Sequence, residues 1–278
     1  GELIEQNSED AWQMGCKNSI FSASLGQKSV HYPCVMGTEK TVANHLNHEF
    51  KLFIPSIILI DECHHVDFEE LERWQKDKST EIKTSYGKII THFMTLNPST
   101  RIIGYTGSPY RGKTSIVNNF WVKKLSEVPT MELVEMGYLV PPVFGFGDDS
   151  HHYDLHEWDK KDQFEDYSSK ELQAMQRKIS KDKVMTERIM EEVVERCKDR
   201  NGVLITCAGK KHCEQVAACL PVGSWGIVTD STSTKERRKI LSDAKEGKIK
   251  YVIQVGCLTT GFNAPLMDVC VILRRIGS

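Results

Sequence analysis

The sequence predicts an α/β protein built on parallel sheets, in two units that flank a charged connector. Three observations predict it. Short β-branched and apolar runs alternate with amphipathic stretches before residue 107 and again after residue 201, the alternation that lays helices on the faces of a parallel sheet. The run Ser56-Ile57-Ile58-Leu59-Ile60 ends abruptly in acid. Between the two alternating regions, Asp148 to Arg200 is nearly half charged, with both signs mixed and few strand formers, and reads as a connector plus a solvated helix.

Taken in order, Glu2 to Trp12 reads as a helix, Ile20 to Ala23 and Cys34 to Met36 as brief strands, and Val42 to Leu46 as helical. Pro55 to Ile60 predicts a strand buried on both faces, because its apolar run is continuous rather than alternating. Phe68 to Trp74 and Lys88 to Leu96 are helices, and Arg101 to Thr106 is another buried strand. Pro141-Pro142 breaks the chain. In the connector, Val184, Ile189, Val193 and Cys197 fall near helical spacing and predict a face packed on the second alternating region. Strands are then expected at Gly202 to Cys207, Trp225 to Val228, Tyr251 to Val255 and Val269 to Leu273, with helices at Lys211 to Leu220 and Lys235 to Glu246. The expected division is 1–142, a connector and first helix at 143–200, and 201–278.

The 278 residues leave room for two domains, and 40% apolar with 27% charged residues is the profile of an ordinary folded chain. No stretch approaches the roughly 18 uninterrupted apolar residues of a membrane span. The first residues lack the basic-then-apolar pattern of a secretory signal, so the expectation is a cytoplasmic protein with no membrane partner. A net charge of −2 does not announce a nucleic-acid binder, but phosphate contacts need a local basic stripe rather than a basic total. The nine cysteines contain no C-x-x-C pair, against both a disulfide framework and a cysteine-rich zinc site. Cys207, Cys219, Cys257 and Cys270 lie in apolar runs and read as reduced, mostly buried thiols.

The sharpest chemical feature is Asp61-Glu62-Cys63-His64 at the end of a strand. Ligands of open parallel sheets bind beyond the carboxyl ends of the strands. An Asp there can hold a Mg²⁺ that bridges nucleotide phosphates, and the adjoining Glu can orient or deprotonate an attacking water. A strand capped by solvated acids is the plainer alternative. Gly107-Ser108-Pro109-Tyr110-Arg111-Gly112-Lys113-Thr114 satisfies the pattern of a phosphate-binding loop. Ser115 to Trp121 is nevertheless a poor helix opening, and a phosphate needs a firm helix N-terminus beneath it. The carboxylate strand also precedes this loop instead of following it, so the segment reads as a decoy, with Lys113 at the surface or on nucleic acid.

Asp61-Glu62-Cys63-His64 resembles the DExH box, motif II, of superfamily 2 helicases and translocases, and further motifs stand in order. Thr106-Gly107-Ser108-Pro109 resembles motif III, Thr259-Thr260-Gly261-Phe262-Asn263-Ala264-Pro265 motif V, Gly202 to Leu220 the strand and helix of motif IV, and Met36-Gly37-Thr38 motif Ib. Leu3 to Asn7 resembles the segment that follows motif Ia. Leu258 to Leu273 and Met136 to Pro142 are most similar to the RadD type of bacterial DNA-repair helicase. Phage helicases and restriction-enzyme motor subunits share much of this pattern.

The resemblance implies two RecA-like domains that close on Mg²⁺ and ATP. It implies catalytic roles for Asp61, Glu62 and His64, nucleotide contact by Asp61 (through Mg²⁺), Gly261 and Asn263, and coupling by Thr106 and Ser108. Nucleic-acid contact falls to Thr38, Thr259 and Thr260. The implied partner is DNA, single-stranded or branched and read with low sequence specificity, with a single-strand-binding protein as a further partner carried over from the family. Two departures stand out: nothing upstream of Asp61 matches a Walker A loop, and motif VI with its arginine finger is not found before Ser278. The expectation is an incomplete portion of a longer helicase, with its first domain missing the Walker A part. The alternatives are a catalytically inactive helicase-derived chain that binds nucleic acid or protein, and a restriction-type DNA translocase subunit. A third, a kinase or NTPase using the loop at Gly107, needs Lys113 to be essential. Asn263 stands where the family usually has Asp, which keeps hydrogen-bonding shape without the charge. His64 and His65 beside Cys63, and His151, His152 and His156 in the connector, read as exposed or motif residues rather than zinc ligands.

Overall fold

A computed structural model describes residues 2–111, 114–117, 120–145, 150–160, 167–258 and 264–275. The chain divides into two compact units, Gly1–Val140 and Pro141–Ser278. Residues 143–200 therefore belong to the second unit.

The first unit opens with α1 (Glu2–Gln13), β1 (Asn18–Ser22), β2 (Gln27–Lys28), β3 (Cys34–Gly37) and α2 (Glu39–Ala43). β1 pairs parallel with β3 and antiparallel with β2. β4 (Ile57–Ile60), α3 (Phe68–Lys76), α4 (Ser85–Leu96) and β5 (Arg101–Gly104) come next, and β4 pairs parallel with β5. α4 starts where the buried carboxylate of Glu70 on α3 accepts from the Lys83 and Thr84 amides and the Thr84 hydroxyl, while Thr84 caps Gly87. An acceptor and a negative charge at a helix N-terminus satisfy donors that the helix itself leaves open. Phe21, Phe50 and Phe93 pack edge to face under β1, and Ile60, Val66, Leu71 and Ile90 form the core between β4, α3 and α4.

The expected burial of two strands fails here: no residue of β5 is buried, and Arg101 is exposed. β4 is not buried on both faces: Ile58 and Ile60 face the core, but Ile57 and Leu59 are 52% and 61% exposed. Nothing among the described residues covers that face, so a run apolar on both sides sits with one side open. Within the phosphate-loop pattern, Tyr110–Arg111 (β6) pairs antiparallel with Thr114–Ser115 (β7), and the next helix among the described residues, α5, comes at Thr130–Glu135. Gly112 and Lys113 lie outside the described residues.

The second unit holds α6 (Ser169–Lys181), α7 (Lys183–Arg196), β8 (Gly202–Thr206), α8 (Lys210–Ala218), β9 (Trp225–Val228), α9 (Thr234–Lys245), β10 (Tyr251–Gln254) and β11 (Met267–Ile272). The sheet order is β11-β8-β10-β9, parallel throughout. Alternate residues point to opposite faces. Val203, Ile205, Tyr251 and Ile253 join α8 residues Cys213, Val216 and Ala217 in one core. Leu204 and Val252 join α9 residues Leu241 and Ala244 in the other.

The connector is docked rather than solvated. Leu155 is buried with Met175 and Ile179 of α6, and Tyr153 reaches His212 and Thr186. Its polar groups find partners: Lys160 with Glu171, Lys178 with Glu157, His151 with Glu192, and Asp159 with Arg275 from beyond β11. Of the face expected on α7, Ile189 and Val193 pack on the core and Cys197, just beyond the helix, is buried, but Val184 is 60% exposed. Thr186 and Met190 take the buried positions. Cys270 is exposed as well, because it points away from the core on β11. No helix among the described residues is long and apolar enough to cross a membrane.

Candidate functional site

β4 and β5 run side by side with Ile60 opposite Gly104, and two backbone bonds prolong the pairing past the strands: Tyr105 N–H to the Ile60 carbonyl, 2.8 Å, and Cys63 N–H to the Tyr105 carbonyl, 2.9 Å. The segments 61–65 and 105–108 therefore emerge together at the carboxyl ends of two parallel strands. Asp61 is exposed, and its Oδ1 accepts from the Glu62 amide at 2.9 Å. Glu62 has φ 50 and ψ 46, the one non-glycine residue with positive φ among those described. A left-handed backbone costs an ordinary residue about 1–2 kcal/mol, and such cost concentrates where geometry serves function. The turn leaves Glu62 half-buried and drops Cys63 into the core, 3% exposed, as the opening of a short 3₁₀ turn, Cys63–His65.

That inward drop needs Gly104. A Cβ at this position would lie 2.5 Å from Cys63 Sγ and 2.8 Å from the Trp121 ring. Burial, with Glu62 and Asp61 close by, holds the Cys63 thiol above its ordinary pKa, so it is a packing residue rather than a nucleophile.

His64 Nδ1 lies 2.7 Å from Thr106 Oγ1 and 3.3 Å from Glu62 Oε2. The Thr106 hydroxyl donates to the Ser108 carbonyl at 3.0 Å and accepts from the Ser108 amide at 2.9 Å. With its one proton spent on Ser108, Oγ1 is left to accept from His64 Nδ1–H. Asp61, Glu62, His64, Thr106 and Ser108 are thus drawn into one cluster, with Thr106 as its centre. The Ser108 side chain takes no part in these bonds; its backbone does.

Thr38 stands in the other sheet system of this unit, after β3, where its hydroxyl donates to Thr41 Oγ1 at 2.7 Å. A residue that the sequence did not single out, Tyr86 on α4, lies among the neighbouring groups. Its phenol is held above its ordinary pKa by burial and by Glu39, Asp61 and Glu62. Its aromatic ring in an otherwise ordinary amphipathic helix carried no signal. Thr259, Thr260, Gly261 and Asn263 lie outside the described residues. The connector histidines have carboxylate partners, His151 with Glu192 and His156 with Asp159, both at 3.0 Å. Among the described residues no group of three or more His, Cys, Asp or Glu side chains could hold a metal ion.

No protein-family model matches the sequence, and no curated protein sequence matches it. Solved structures do. S. cerevisiae Dbp5 bound to RNA and ADP BeF3 is 16% identical with a TM-score of 0.51, covering 99% of this chain and 60% of that one. S. cerevisiae Dbp5 L327V bound to Gle1 H337R and IP6 is 16% identical with a TM-score of 0.50, covering 97% and 58%. The Mycobacterium smegmatis helicase Lhr bound to ssDNA and AMP-PNP reaches 0.48 at 12% identity, covering 97% and 33%. The chain therefore spans about three fifths of the Dbp5 chains it matches. With its parallel sheets and alternating helices, this chain has the mixed α/β fold of the RecA-like helicase domains.

Proposed function

We propose that this chain is part of an ATP-dependent nucleic-acid helicase or translocase of the DExH type, acting on DNA in repair or recombination. One observation carries the reading: the Asp61-Glu62 pair leaves the end of one parallel strand and is wired through His64 to Thr106 at the end of the next. This link gives a change at the carboxylates a route to the 106–108 turn, as the proposed coupling of hydrolysis to strand movement requires. Asp61 fits a Mg²⁺, since it is an exposed hard oxygen donor beyond a parallel strand, and that ion would keep most of its water shell. When bound, Mg²⁺ and ATP would supply a phosphoryl group with its charge partly neutralised. Glu62 would then hold the attacking water, and His64 would keep Glu62 and Thr106 in register. The antiparallel pairing of Tyr110–Arg111 with Thr114–Ser115 supports reading 107–114 as a decoy rather than as the phosphate grip.

That hairpin favours a second reading, a chain that binds nucleic acid or a partner protein without turnover. Titration calorimetry with Mg·ATP, on the wild type and Lys113→Ala, separates the readings. Tight binding lost in the variant would make 107–114 a phosphate loop and overturn this assignment of motifs. Wherever hydrolysis is measured, Glu62→Gln is expected to abolish it and to spare nucleotide binding. Fluorescence anisotropy with single-stranded DNA and RNA tests the polynucleotide partner: affinity falling steeply with salt supports it, and no affinity for either refutes it.

A further inference from the structure

α1 closes on a glycine. Gly15 has φ 84, its N–H donates to the Trp12 carbonyl at 3.0 Å, and the Cys16 N–H donates to the Ala11 carbonyl at 2.8 Å. Two such bonds around a left-handed glycine end a helix in one defined shape, so the Cys16 backbone is fixed although its side chain is exposed. A second anchor is Asn18, which opens β1 and is 4% exposed. A buried amide is held by the bonds that satisfy it. Its Nδ2 donates to the Cys16 carbonyl at 3.1 Å and the Ser8 carbonyl at 3.2 Å, and its Oδ1 accepts from the Ser8 hydroxyl at 2.6 Å. The same residue is the register partner of Cys34, the first residue of β3.

One buried asparagine therefore ties down Cys16 through its side chain and Cys34 through its strand. The result is two thiols side by side: half-buried Cys34 donates its S–H to the Cys16 sulfur. Burial first, and then the neighbouring sulfur, hold the Cys34 thiol above its ordinary pKa. Cys34 thus keeps its proton, and Cys16, the accessible sulfur, is the one that an oxidant meets. Cys207 and Cys213 make a similar pair, but both are fully buried, and thiol exchange requires access.

We propose that Cys16 and Cys34 form an oxidisable dithiol, a modification site at which a small disulfide such as oxidised glutathione links the end of α1 to the start of β3. The Cys16 thiolate attacks one sulfur of the oxidant, whose S–S bond breaks and releases a first thiolate. Cys34 then gives up its proton, attacks the Cys16 sulfur and expels the second thiolate. Two protein thiols are oxidised, one small disulfide is reduced to two thiols, and the two protons end on the leaving sulfurs. The test exposes the reduced chain, freed of reductant, to oxidised glutathione under native conditions. N-ethylmaleimide quenches the reaction, and mass spectrometry maps the peptides without reduction. The expected result is a peptide pair joined through Cys16 and Cys34, loss of maleimide labelling at both, its full return after dithiothreitol, and an unchanged circular dichroism spectrum. Cys16 that stays a thiol, stops at a glutathione adduct or links to a second copy of the chain overturns the proposal. So does a link that forms only as the native spectrum is lost, since unfolding would then have brought the sulfurs together. In Cys34→Ser the glutathione adduct on Cys16 is expected to accumulate, because no sulfur is left to displace it; absence of the adduct overturns the proposal. If that variant does not fold, Cys16→Ser, altered at an exposed position, is expected to leave Cys34 as a thiol, and oxidation of Cys34 there at the wild-type rate overturns it.

Discussion

Lowering the pH should unfasten the second unit at one buried imidazole. His212 is fully buried on α8. Its Nδ1 accepts from the Ala208 amide at 3.2 Å, and its Nε2 lies 2.9 Å from the Tyr153 hydroxyl. Tyr153 in turn donates to Thr186 Oγ1 at 2.8 Å, because the Thr186 proton is spent on the Asp182 carbonyl at 3.0 Å. The chain of donors fits the neutral ring alone; a second proton on Nδ1 would face the Ala208 N–H. Burial lowers the pKa of His212 to about 4, against an ordinary value near 6.5. A folded-state value below the unfolded one means that the contribution is complete above about pH 6.5 and is lost as the pH falls toward about 4. Linkage gives about 2 kcal/mol lost between pH 7.5 and 5, and about 3 kcal/mol by pH 4. The assay is urea unfolding at pH 7.5 and 5, with the second unit read from hydrogen exchange across β8 and β10, for the wild type and His212→Gln. The glutamine does not titrate, so its loss over that interval should be smaller by about 2 kcal/mol. Equal losses in the two proteins would refute the reasoning.

Other perturbations test other joints. Gly104→Ala forces a Cβ into Cys63 and Trp121 and is expected to cost about 1–3 kcal/mol, read by urea denaturation; a neutral result would mean that the 61–65 turn does not pack on β5 as described. Glu70→Ala leaves the Lys83 and Thr84 amides without their acceptor, for a loss of about 2–4 kcal/mol. Glu70→Gln, which keeps one acceptor oxygen, should lose less by the same measurement. In alkylation followed by mass spectrometry, Cys16 and Cys270 should label in the native protein while Cys63, Cys207 and Cys213 resist. Labelling of Cys63 at the rate of Cys16 would contradict its burial.

The strands were legible where β-branched runs are bounded by turn residues: Trp225–Val228 comes out residue for residue, and the others within a few positions. The segments at Asp61 to His64 and Thr106 to Ser108 stood out because strand ends followed by acids and hydroxyls leave a pattern in the chain. The packing across the sheet was not. A continuous apolar run reports that a strand can be buried twice over, not that something covers it, hence the error over Ile57 and Leu59. α2 begins earlier than its apolar residues suggest because Glu39 suits a first helical turn. His212 and Gln254 left no trace, since a polar residue in an apolar stretch looks like a surface position until its partners, 59 and 48 residues away, are seen. The connector misled for the converse reason: its charges satisfy one another, freeing Tyr153 and Leu155 to anchor it.

The backbone at Glu62 sets two demands on one residue against each other. Glycine would sit there without penalty, and Glu62→Gly is expected to leave the first unit as stable or more stable, by up to about 1 kcal/mol, while removing the carboxylate that the proposed chemistry needs. Position 62 is therefore a place where a search for thermal tolerance alone would find its gain by discarding the carboxylate on which the proposed activity rests. A melting temperature that rises in Glu62→Gly would measure what the protein gives up in stability to keep that side chain in place.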